Sequence, residues 1–137
     1  MNIGPFVTAM SRANRPEGQM DLGGFVDALE SIADKSKEVV FDFCSLRPLG
    51  FISWRGIYAD LALEYTHEGS APTVASVLDM ANATIGTVLE GYKGGDFRMD
   101  QQTPLWVDNY GESNSTAIVG VEDCGWRVVI HTKWMEA

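Results

Sequence analysis

A chain of 137 residues is enough for one domain and short for two. Its composition, 45% hydrophobic and 21% charged, argues against a disordered chain, and no stretch approaches the roughly twenty apolar residues of a membrane span. Ten Lys+Arg against nineteen Asp+Glu give a net charge of -9, which repels phosphate backbones and anionic membranes and argues against non-specific nucleic-acid binding. Residues 1–20 carry Gly4, Pro5, Pro16 and Gly18 among polar residues and read as an N-terminal arm. Nothing there resembles a basic run followed by an apolar block, so a signal peptide is not expected. Residues 21–137 read as a single domain. Over 21–34 the spacing of Leu22, Phe25, Val26, Leu29 and Ile32 predicts a helix with Asp21 as N-cap. Lys35 and Lys37 suit its carboxyl end.

Glu38 to Phe43 is rich in β-branched and aromatic residues and predicts a strand. Leu46 to Ser53 holds Pro48 and Gly50 and reads as a loop. Gly56 to Tyr65 alternates, with Tyr58, Asp60, Ala62 and Glu64 on one side and Ile57, Ala59, Leu61, Leu63 and Tyr65 on the other. After a polar turn over 67–72, Thr73 caps a helix predicted to run to Glu90 on an apolar stripe, with Gly91 as its left-handed cap. Short strands follow at Phe97–Met99 and Thr103–Val107. Thr116–Glu122 and Trp126–Trp134 form a hairpin across Asp123-Cys124-Gly125. The fold class is α+β: a mainly antiparallel sheet of about five strands with two helices on one face.

From Gly56 to Glu90 there are five acids and no Lys or Arg. This spread predicts one negative face and one mixed face, and the net acidity either keeps a cytoplasmic protein dissolved or forms a surface that competes with nucleic acid for a basic partner. Two cysteines, Cys44 and Cys124, are too few for a disulfide scaffold. Both read as buried free thiols, with a bridge between them left open.

Two segments are site-like. In Gly91-Tyr92-Lys93-Gly94-Gly95-Asp96-Phe97 the glycines allow close backbone approach, and exposed amides beside Lys93 suit an anion. The competing reading is a helix cap and a tight turn. The Gly-Lys-Ser/Thr of a phosphate-binding loop is absent, and the loop follows a helix instead of preceding one. In Ser53-Trp54-Arg55-Gly56-Ile57-Tyr58, Trp54 and Tyr58 can sandwich a planar ligand while Arg55 forks onto a carboxylate or phosphate. The competing reading is a loop-to-strand corner with Trp54 in the core. If the loops meet, Trp54, Arg55, Tyr58, Tyr92, Lys93, Gly94, Gly95 and Asp96 form a small cationic pocket for a nucleotide-like anion.

Catalysis and metal binding have weaker support. A nucleophilic site needs Cys44 near His131, with Asp42 or Asn109 orienting the ring, and no family signature surrounds Cys44. A metal set drawn from Asp60, Glu64, His67 and Glu68 has one local His and reads as an acidic turn in water. No cofactor and no metal are expected. Trp106, Tyr110, Trp126 and Trp134 read as core aromatics.

The segments SWRGIY, GYKGGDF, TPLWV and STAIVGV together resemble uncharacterised accessory proteins of tailed bacteriophages, over about residues 38–123. The resemblance implies a protein of the infected bacterial cytoplasm, of a kind often inhibiting host machinery, including anti-phage defence. It assigns no catalytic residue. The leading expectation is a non-enzymatic inhibitor acting by binding. Its partner is a host protein with a basic surface, met by the acidic face, or a small anionic ligand sequestered at Arg55 and Lys93. The alternatives are a small enzyme with the two glycine loops as its active site and a structural virion component. Self-association through an edge strand is a further expectation.

Overall fold

The computed structural model describes residues 18–43, 46–53, 60–90, 96–108 and 115–135. Helix α1 spans Leu22–Glu30 and starts where the sequence places it, with the Gly24 N–H donating to the Asp21 carboxylate at 2.8 Å. That bond satisfies one amide the helix leaves unpaired. The helix stops four residues before the predicted end. Ser31 Oγ donates to the Ala28 carbonyl, and the Lys35 ammonium donates to the carbonyls of Glu30 and Ile32. Asp34 is used in a turn, where its carboxylate accepts the Ser36 amide and hydroxyl.

Strand β1 is Glu38–Phe41, two residues shorter than predicted: the Asp42 amide still donates to the Ile130 carbonyl, and the Phe43 carbonyl accepts the Leu46 amide in the turn that follows. Arg47–Ser53, read from sequence as a loop, is strand β2. Pro48 and Gly50 are tolerated because β2 is an edge strand with an irregularity between them, which turns Leu49 outward at 57% exposure. Strand β3 is Leu61–Thr66. Helix α2 is Val74–Thr84, with Thr73 Oγ1 accepting the Ser76 amide at 3.2 Å.

The helix predicted to reach Glu90 therefore ends six residues early. Ile85 is already extended, Gly86 takes φ +84°, and Val88–Glu90 forms strand β4, paired with β5 (Asp96–Arg98) as a separate two-stranded ribbon. The β-branched run Thr84-Ile85-Gly86-Thr87-Val88 favours this exit. The left-handed glycine after the helix is Gly86. Gly91 lies outside the described residues.

Strands β6 (Leu105–Val107), β7 (Ser115–Asp123) and β8 (Arg127–Met135) complete a six-stranded sheet of order β1-β8-β7-β6-β3-β2. The class is α+β, but the sheet is mixed rather than mainly antiparallel. Strand β1 runs parallel to β8, and β3 parallel to β6 across a connection that contains α2 and the ribbon. The two edge strands approach each other, the Phe41 amide donating to the Leu46 carbonyl at 2.8 Å, so the sheet curls almost into a barrel. Met20 is stitched into the sheet between β6 and β7, its amide donating to Ile118 and its carbonyl accepting from Leu105.

Both helices pack on one face. Leu22, Phe25 and Leu29 of α1 and Val74, Val77 and Ala81 of α2 meet Val39, Phe41, Leu61, Leu63, Leu105, Val107, Ile118, Val128 and Ile130 of the sheet. Phe25 meets Phe51 edge-on at 6.1 Å. The opposite face carries a small cluster of Ala62, Trp106 and Ala117, against which Ile52 and Val119 pack. Asp60, on the side of β3 read as polar, is 1% exposed, and its carboxylate accepts the Trp106 indole N–H at 2.8 Å. Among the described residues no helix is long and apolar enough to cross a membrane.

Candidate functional site

The register of the β7–β8 hairpin sets out the chemistry of the outer face. Val128 and Ile130 of β8 point into the core, so Arg127, Val129 and His131 point the other way. Gly120 stands opposite His131 and adds no side chain, and the ring reaches along β7 to Glu122, with Nε2 at 2.7 Å from Oε1. The ring is held from its other side by Asp42, whose Oδ2 is 3.7 Å from Nδ1.

Asp42 has a prior task. It lies just past the end of β1, where β8 loses its parallel neighbour. There its carboxylate accepts the Thr132 amide at 2.8 Å and the Thr132 hydroxyl at 2.6 Å. A side chain thus satisfies the ladder group that β1 no longer reaches. The pairing of His131 with Asp42 matches one arm of the nucleophilic arrangement weighed from sequence. Its nucleophile, Cys44, and its alternative orienting residue, Asn109, lie outside the described residues. With Asp42 committed to Thr132 and Glu122 exposed to water, the network works as a latch that ties the end of β1 to β8.

At the turn of the same hairpin lie the groups that sequence reading misplaced. Cys124 is exposed, not buried, and is a free thiol. Trp126 and Trp134 are 71% and 57% exposed, not core; of the aromatics so assigned, Trp106 is buried and Tyr110 lies outside the described residues. The reason is local. The strand begins at Arg127, so Trp126 belongs to the turn, held by Gly125 at φ +92° and by the Cys124 amide donating to the Arg127 carbonyl. The Arg127 guanidinium lies 4.4 Å from the centre of the Trp126 ring. Asp123 pairs with Lys37 at 2.8 Å and accepts the Gly125 amide. The Lys37 hydrogen bond, then that of Gly125, hold the Asp123 carboxyl below the usual carboxylate value. The Ser36 hydroxyl and amide do the same for Asp34. The available sequence signal was the Cys-Gly turn immediately before Trp126, since a residue leaving a tight turn need not face the core.

Of the sequence-assigned site residues, Trp54, Arg55, Tyr58, Tyr92, Lys93, Gly94 and Gly95 lie outside the described residues. Asp96 opens β5, opposite Glu90. The first group connects β2 to β3 and the second connects β4 to β5, two antiparallel pairs with β4 beside β2. In the metal set, His67 and Glu68 are exposed while Asp60 is buried against Trp106. Among the described residues no group of three or more His, Cys, Asp or Glu is placed to hold a metal ion. Comparison with known proteins finds no matching family model, no similar curated protein and no similar solved structure.

Proposed function

We propose that the chain is a non-enzymatic binding protein of the phage accessory kind, which inhibits a bacterial host component by covering a basic surface on it. The observation that carries this reading is how the charges are spent. Lys35 is bound to helix-end carbonyls, Lys37 to Asp123, Arg47 to the His67 carbonyl and Arg98 to the Gly86 carbonyl, while Arg127 lies over Trp126. Asp27, Glu30, Asp34, Glu38, Glu68, Asp79, Glu122 and Asp123 are exposed. Of these eight carboxylates Asp123 is paired with Lys37 and Glu122 meets His131, and the other six face water on a chain of net charge -9. Such a surface steers a basic partner and keeps nucleic acid away.

The test is native mass spectrometry of the protein freshly purified from a bacterial host. The reading predicts a protein partner of basic surface that dissociates as salt is raised, because exposed charge pairs are screened within about 10 Å at 0.1 M salt. A stoichiometric small anion, released on denaturation and lost in Arg55→Ala, would replace this reading with sequestration. Turnover of a nucleotide would replace it with an enzyme.

A further inference from the structure

We propose that the β7–β8 turn is the contact point for that partner, with Trp126 packing against an apolar knob on it and the acids beside the turn pairing with lysines or arginines around that knob. This rests on the acidic-surface reading and names the residues that carry it. Three observations meet at the turn.

The first is the ring. Trp126 is the most exposed of the large apolar side chains among the described residues, at 71%. Tryptophan is the residue type most enriched among the anchors of protein interfaces, because one rigid side chain buries a large apolar area at low entropy cost. The second is preorganisation. The turn is closed by the Cys124-to-Arg127 backbone bond, the Gly125 amide on Asp123 and the Lys37–Asp123 pair, and Arg127 restrains the ring itself. Groups already fixed lose little freedom on binding.

The third is charge. The parallel register sets Glu38 beside Arg127 on the outer face, and Glu122 is opposite Val129 on that same face. Asp123 closes the turn, and Asp34 is within electrostatic reach of it. Four carboxylates thus flank the turn against two cations: Glu38 and Glu122 share the outer face with Arg127, and Asp123 and Asp34 lie with Lys37 on its other side. This excess selects the occupant. A second copy of the chain brings the same excess and is repelled, and an anionic lipid surface or small anion is repelled likewise. A protein segment with lysines or arginines around an apolar knob fits both the ring and the acids beside the turn. The other end of β8 gives the contrast, since Trp134 is also exposed but has the exposed Lys133 as its neighbour.

The experiment titrates the isotope-labelled full chain with a synthetic peptide carrying lysines and arginines around a leucine-phenylalanine pair. The indole N–H resonance of Trp126, assigned by its loss in Trp126→Phe, reports the contact. The expected result is a shift of this resonance and of amides 122–127, weakened by salt. Trp126→Ala should lower the affinity about tenfold or more, Glu38→Lys should lower it several-fold, and Trp134→Ala should change it less than twofold. Salt-sensitive binding that survives in Trp126→Ala overturns the contact point and leaves the acidic-surface reading standing. No salt-sensitive binding overturns both. Shifts that follow protein concentration, or that inorganic phosphate reproduces, assign the turn to a second copy or to an anion and overturn the proposal.

Discussion

On its helix-covered face the sheet presents Phe41, Leu61, Leu63, Leu105 and Ile130, all at most 1% exposed. On the opposite face it presents Ala62, Trp106 and Ala117, then Glu122, His131 and Asp42. The covered face is held by shape and area, which are worth about 25 cal/mol per Å² of apolar surface. The outer face is held by directed polar contacts, each worth about 1 kcal/mol net. The difference teaches where change is tolerated. The first face fixes the fold, and the second can alter its chemistry at small cost.

Substitutions test that division. Phe25→Ala, which empties a fully buried site and removes the contact with Phe51, is expected to cost about 3–5 kcal/mol in denaturant unfolding. Trp106→Phe keeps most of the apolar bulk but takes the indole donor from the buried Asp60. Its expected cost is about 1–3 kcal/mol, and a neutral result would show that this bond is not needed. Thr132→Val, which removes the hydroxyl bond to Asp42 but not the amide bond, should cost about 1 kcal/mol and raise amide exchange at the end of β8.

The smallest effect concerns pH. Asp123 has its folded pKa lowered below 3.8, so it stabilises the fold above that value, and the contribution is lost as pH falls through the lower folded value. Comparing unfolding midpoints at neutral and strongly acidic pH should show a slightly smaller acid loss in Asp123→Asn than in the parent chain.

Much of the covered face was legible in the sequence. The caps Asp21 and Thr73 and the apolar spacing of both helices follow from local chemistry. The strands β6, β7 and β8 fall within one or two residues of their predicted bounds. The early end of α2 and the exposure of Trp126 have local causes, whereas the other failures depended on partners distant in the chain. Strand β2 looked like a loop because Pro48 and Gly50 are permitted only at an edge, and being an edge is a property of the sheet. The parallel pairs β1–β8 and β3–β6 join segments far apart in sequence, which local patterning does not register. Of the outer face, the nearness of Asp42 to His131 was weighed from sequence as a catalytic option. The role of Asp42 as a latch on Thr132 was not legible, because it arises where β1 stops short of β8.

The most direct test of the outer face as the working face is amide hydrogen exchange of the full chain, free and bound to the basic partner it captures. The account predicts added protection at residues 122–127 and at Glu38, with α1 and α2 unchanged. Protection concentrated on the helices, with the β7–β8 turn unaffected, would contradict it.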